Sequence, residues 1–252
     1  MPRTGPKPKK ALKKIIIRLA MLVLAGMAVS IIDWDGLKDL IPIRYVRVEG
    51  EINNLDAAEV RRAALPMAET GYFSVDIRGI ESVARTFPWI DTGEVARVWP
   101  DIVLLKVVEH QALARWGEDS LLNQRGERFS PDNVESYRYL PMLDGPEGQE
   151  KQVLTMMQRL NEKWLGRQKR IDSLRLSKRQ AWTAVLAGGM EIEFGKQDPT
   201  VATDRLLAFL PQLGEQRVAA IQKVDLRYPN GFSVVWRREP QVPAENNVET
   251  GV

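Results

Sequence analysis

Few side chains in this 252-residue chain suit covalent or acid–base chemistry. There is one histidine, His110, and no cysteine. That excludes a thiolate nucleophile, disulfides and any cysteine-based zinc or iron–sulfur centre. A Ser-His-Asp triad would have to use His110. His110 follows Glu109 at the end of an apolar run, a plain surface setting, and a structural role is expected. Glu191 and Glu193 form a carboxylate pair at strand spacing, beside apolar Ile192 and Phe194. A solvated sheet face accounts for them, although a glycosidase using scattered carboxylates would also present such groups.

Two further motifs fail on inspection. Trp99-Pro100-Asp101 matches the mobile acid loop of tyrosine phosphatases, but their chemistry needs the missing cysteine. Gly195-Lys196 has the ending of a phosphate-binding loop. Met190 stands where its first glycine is required, and Gln197 replaces the Ser or Thr. No G-x-S-x-G, S-x-x-K or H-E-x-x-H occurs. The expectation is no catalytic residue, no cofactor and no metal.

The charge is unevenly placed. Residues 1–32 hold Arg3, Lys7, Lys9, Lys10, Lys13, Lys14 and Arg18 and no acid, leaving 29 of the 36 Lys and Arg against 33 Asp and Glu elsewhere. An acidic body argues against nucleic acid, which needs a concentrated basic face. Residues 1–14 read as a disordered, basic cytoplasmic tail. Residues 15–32 are an apolar run broken only by Arg18 and Ser30, long enough to cross a bilayer core as a helix. Arg18 lies within a turn of the basic end and can snorkel to the headgroups. The basic flank predicts a cytoplasmic N-terminus, with the body exported. A cleaved signal peptide is the rival reading, since Ala28-Val29-Ser30 offers small residues. The run continues to Ile32 behind a long basic leader, which favours an uncleaved anchor.

Residues 41–50 read as a strand with Ile43, Tyr45 and Val48 inward. Asp56 is placed to cap a helix that ends before Pro66. A second helix is expected over 76–86. Ile90–Val98 and Ile102–Glu109 then form a hairpin about Trp99-Pro100-Asp101. "IVLL" (102–105) suggests a strand covered on both faces or at its end. The order β-α-α-β-β makes a small α+β unit with both helices on one sheet face.

Beyond Gln111 come short strands in "ALARW", "SLLNQRGERFS" and "RYLPML". A helix follows over 147–165, with Val153, Leu154, Met157, Leu160 and Trp164 as its apolar stripe. Three more strands lead to a helix capped by Asp198 with Pro199 at its first position. Two closing strands flank Pro229-Asn230-Gly231. Trp99, Trp116 and Trp236 sit at strand ends as expected core plugs. The last strand, "FSVVW", is a candidate sheet edge open to a partner strand, unless Arg237, Arg238 and Pro240 blunt it. Residues 237–252 read as a disordered tail.

Taken in order, "FPWI" (87–90), "VWPD" (98–101), "VEHQALARW" (108–116), "LPML-GPEG" (140–148) and "VDLRYPNGFSVVW" (224–236) make the chain resemble the FtsQ cell-division family. Each motif alone is weak; together they span most of the exported chain. The resemblance implies an α+β protein with a single transmembrane helix (15–32), a POTRA domain (43–110) and a mixed β domain with two helices (111–236). It implies a non-enzymatic scaffold of the inner membrane at the division septum, with its C-terminal domain periplasmic. The β domain would recruit FtsB and FtsL, and the POTRA domain and transmembrane helix would meet other division proteins, so controlling septal peptidoglycan synthesis. The residues implied for partner binding are Arg179, Tyr228, Asn230, Gly231, Phe232 and Trp236. Where enteric members carry Asp-Ser at the turn, this chain has Pro229-Asn230, and Pro229 removes an N–H donor.

Two other readings compete. A POTRA-bearing translocation component would usually carry several such units and a barrel of many strands. An anchored periplasmic hydrolase would work through carboxylates.

Overall fold

The computed structural model describes residues 8–31, 42–228 and 231–237. The chain divides into two units, after Glu109. The first opens with α1, Pro8–Ile31. Residues 8–14, expected to be unstructured, are helical. Proline suits a first helical position and "KKALKK" is built of good helix formers. Among the described residues, no helix is long and apolar enough to cross a membrane.

The rest of this unit is β1 (Tyr45–Glu49), α2 (Ala57–Ala68), α3 (Ile77–Ala84), β2 (Ile90–Val98) and β3 (Ile102–Glu109). β3 lies centrally, parallel to β1 and antiparallel to β2. The Asp56 side chain accepts from the N–H of Ala58, and that of Asp76 from Gly79. Each satisfies a donor that a helix start leaves open. Pro66 does not end α2, which runs on to Ala68 with the proline inside it. Both helices cover one sheet face. Val60, Ala64, Ala68, Ile80 and Ala84 from the helices meet Val46, Val103, Leu105 and Val107 from the strands.

That face corrects two expectations. Tyr45 is 62 % exposed and Val46 points inward instead. Residues 102–105 are covered on one face only: Val103 and Leu105 are buried, and Ile102 and Leu104 are half-buried. The hydrophobic run therefore reflects a central strand whose second face is partly open. The Glu109 carboxylate accepts from the backbone N–H groups of Asn53, Asn54 and Leu55 at 2.8–3.2 Å, tying the β1–α2 loop to the end of β3.

The second unit is a nine-stranded mixed sheet. Its strands are β4 (Ala112–Trp116), β5 (Ser120–Asn123), β6 (Arg128–Phe129), β7 (Met142–Asp144), β8 (Ile171–Leu176), β9 (Trp182–Leu186), β10 (Glu191–Gly195), β11 (Ile221–Asp225) and β12 (Ser233–Trp236). They lie in the order β12-β11-β10-β9-β8-β7-β4-β5-β6. Helices α4 (Glu150–Leu165), α5 (Pro199–Phe209) and α6 (Glu215–Ala219) complete it. The whole apolar stripe of α4 is buried, against Leu143, Leu174, Ala184, Phe194 and others.

α4 begins three residues later than expected because Gly148 takes φ +81°, a left-handed conformation incompatible with a helix. α6 makes a third helix where two were expected. Five residues give no window for a 3.6-residue period. α5 starts as the sequence implied: Asp198 accepts from Thr200 N and Oγ1 at 2.8 and 2.7 Å, which holds its carboxyl below the usual range. β10 and β11 are parallel, so the chain between them must cross over, and α5 makes the crossing.

Candidate partner-binding edge

Strand β12 pairs with β11 on one side only and ends the sheet. Its register is Ser233 opposite Asp225, Val234 opposite Val224 and Val235 opposite Lys223. The Arg237 N–H donates inward to Ala220 O at 2.8 Å. Backbone groups alternate along a strand, so Val235 also faces β11, while Val234 and Trp236 turn their N–H and C=O groups outward. A partner strand would find those four groups.

Side chains sort by the same alternation. Phe232 and Val234 pack on the core, with the Phe232 ring edge-on to Phe209 of α5 at 5.0 Å. Val235 stays 50 % exposed, Trp236 43 % and Tyr228 60 %. Trp236 and Trp99 are therefore not core plugs, although Trp116 is buried. Both stay open to solvent at the ends of their strands, Trp99 at 72 % and Trp236 at 43 %.

Tyr228 is held from behind. Gln197 donates through Nε2 to Leu226 O and Arg227 O at 3.0 and 2.6 Å. Arg205 of α5 donates to Tyr228 O at 3.3 Å and to Gln197 Oε1 at 2.8 Å. These two positioning residues escaped sequence reasoning, since a lone Gln and a helix Arg carry no pattern.

The sheet's outer face beside the edge is an ion-pair network. Lys223 Nζ lies 3.1 Å from Glu191 Oε1 and 2.7 Å from Glu193 Oε1. Arg227 Nη2 lies 2.6 Å from Asp225 Oδ2, and Arg227 Nε 3.5 Å from Glu193 Oε2. The Arg227 hydrogen bond holds the Asp225 carboxyl low, and Glu193 holds Lys223 above its ordinary value. The carboxylate pair is thus bound to a shared cation, as a solvated sheet face would be. Gly195 has φ +64°, and a Cβ there would come within 2.9 Å of Arg227 Cγ. Its glycine makes room for that arginine and is no phosphate loop.

The implied site residues are not gathered into one cluster. Gly231 and Phe232 stand at the start of β12, near Tyr228 in the chain. Gly231 is exposed, is not left-handed, and a Cβ would meet nothing there. Trp236 lies at the other end of β12, about 10 Å along the strand. Arg179 is exposed in the β8–β9 turn. Trp182 opposite Gly195, and Glu193 opposite Asp225, put that turn at the same sheet end as Tyr228. Three strand spacings separate β9 from β12, about 14 Å. Asn230, Pro229 and the tail from 238 lie outside the described residues. His110 stacks on Phe129 with ring centroids 4.4 Å apart, and its Nδ1 is 3.1 Å from Asn123 Nδ2. Nearby, the Arg125 hydrogen bond brings the Glu127 carboxyl down to about 2.

Residues 41–110 match the model of the FtsQ-type POTRA domain. Residues 114–227 match that of the C-terminal region of cell division protein FtsQ/DivIB. The chain is 34 % identical to the cell division protein FtsQ of Methylomonas methanica, over 90 % of this chain and 91 % of the relative. This chain belongs to the FtsQ cell-division family. It is also 31 % identical to FtsQ of Xanthomonas campestris pv. campestris, over 89 % of this chain and 80 % of that one. With FtsQ of Coxiella burnetii it shares 28 % over 90 % and 94 %. Membership gives the chain a division-related role and makes the first sheet and its two helices an FtsQ-type POTRA domain. The matched C-terminal region ends at residue 227, just before Tyr228 and the edge strand β12.

Proposed function

We propose that this FtsQ-family chain is a non-enzymatic, membrane-anchored scaffold of the division machinery. Its second unit holds FtsB, and FtsL with it, by adding a partner strand to β12. Its POTRA domain and N-terminal helix meet other division proteins, and the assembly controls septal peptidoglycan synthesis. The apolar run 15–32 crosses the inner membrane, with the N-terminus cytoplasmic and the body periplasmic at the septum.

The observation that carries this reading is the terminal edge. β12 has outward-facing backbone groups at Val234 and Trp236, flanked by exposed Tyr228, Val235 and Trp236. An unpaired strand edge is a template for another strand, and exposed aromatics supply the anchors. The exposed turn cation Arg179 suits an acidic side chain of the partner. The carboxylate pair that the sequence singled out, Glu191 and Glu193, is held by Lys223, as a structural ion pair would be.

The test is a calorimetric titration of the detergent-solubilised chain with the periplasmic C-terminal half of FtsB from the same organism. Val234→Pro removes an outward N–H and leaves the inward bonds of β12 in place. We expect saturable binding that this change abolishes. No binding by the wild type, or unchanged affinity in Val234→Pro, would sink the edge assignment.

A further inference from the structure

The POTRA sheet buries one face under its helices; its other face carries an apolar patch at one end. Strand register puts Tyr45, Ile102 and Val98 in one row across β1, β3 and β2. Trp99 follows at the hairpin tip and is 72 % exposed. Arg44 and Arg47 flank the row with exposed side chains, in loose, exposed ion pairs with Asp101 at 3.9 Å and Glu49 at 3.7 Å that a lipid phosphate can compete with. Two residues further from the tip than the next row, the face turns charged: Glu49, Lys106 and Glu94 lie side by side. The patch therefore has a defined boundary. It also sits where the chain enters the domain, because Asp101 O in the tip accepts from the N–H groups of Arg44 and Tyr45 at 2.9 and 3.3 Å.

We propose that this patch docks on the surface of the bilayer that α1 anchors. The inference rests on the anchored reading given above. Ile31 and Pro42 are eleven residues apart, a reach of at most about 40 Å, so the hairpin tip is the part of the domain tethered closest to the membrane. Exposed tryptophan and tyrosine beside arginine is the composition of a membrane interface, where rings sit at headgroup level and guanidinium groups meet phosphates. A soluble partner would not require the patch to lie at the chain's entry point. A bilayer would.

The absence of cysteine makes the test direct. The full chain is reconstituted in phosphatidylethanolamine–phosphatidylglycerol vesicles with a bimane label on Ala96→Cys, exposed on the open face, or on Ser82→Cys, exposed on α3. Brominated lipids report contact, and alkaline carbonate extraction reports anchoring. We expect at least threefold stronger quenching at 96 than at 82, reduced to the level of 82 when Trp99→Ser is added. Equal quenching at both sites in a chain that resists extraction overturns the docking alone. Release of the chain by carbonate overturns the anchor, and the docking with it. Protection at 96 that needs an added division protein, and not lipid, overturns the proposal in favour of a protein occupant.

Discussion

Tyr228→Ala is the sharpest test of the terminal edge. The side chain is 60 % exposed, so little folding energy depends on it. The groups that hold its segment, Gln197 and Arg205, bind backbone carbonyls and are untouched by the change. A tyrosine can bury roughly 200 Å², so about 120 Å² remains available to a partner. At about 25 cal/mol per Å² that is about 3 kcal/mol as an upper bound. Ordering the side chain on binding costs about 1 kcal/mol, leaving about 2 kcal/mol. The expected result is an affinity for the FtsB segment about 30-fold weaker, by calorimetry, with an unchanged urea midpoint. A loss under threefold, with the fold intact, would refute the reasoning that places the partner over this ring.

Arg179→Glu should weaken the same binding severalfold in low salt and much less at high salt, because an exposed pair is screened. Equal effects at both salt concentrations would remove it from the interface. Gly195→Ala should lower stability to urea by about 1–3 kcal/mol, from its left-handed φ and the approach of Arg227. A change under about 0.5 kcal/mol would show that Arg227 moves aside freely. Trp164→Ala empties a fully buried site and should cost about 3–5 kcal/mol by the same assay. Asp225 is held below the ordinary carboxylate value of about 3.9, so its contribution is complete above that pH and fades as pH falls through the folded value. Amide-exchange protection of 225–228 should drop in that window in the wild type and be insensitive to it in Asp225→Asn.

Local periodicity made much of the fold legible. Val153, Leu154, Met157, Leu160 and Trp164 recur at helical spacing because one face of α4 has to be buried, and all five are. The β2–β3 hairpin was readable from its two apolar runs and the turn between them. What escaped depends on contacts distant in sequence. Tyr45 and Val46 differ by one residue, and only pairing with β3 decides which of them faces the helices. Pro66 reads as a stop, yet α2 passes through it because Ala64 and Ala68 are both in the core. At the edge, the aromatic residues were visible in the sequence. The hold of Gln197 and Arg205 on residues 226–228 was not, since it joins segments up to 30 residues apart.

The two sheets treat their edges differently, and the contrast favours β12 as the surface kept open. β6 ends the large sheet with a strand of two residues, too short to template a partner. β2 is a nine-residue edge of the POTRA sheet, and it carries Asp91, Glu94 and Arg97, charges that oppose pairing with another chain. β12 has neither protection between Ser233 and Trp236. Its position follows from topology. The α5 crossover delivers β11 parallel to β10, and the closing hairpin then adds β12 at the rim. Glu193, Lys223, Asp225 and Arg227 form ion pairs on the neighbouring strands, so the strand that stays open is backed by a well-tied pair. An edge left bare by accident would need no such support. An edge that must hold its register for another strand does, because a slip of one residue would turn Phe232 and Val234 out of the core.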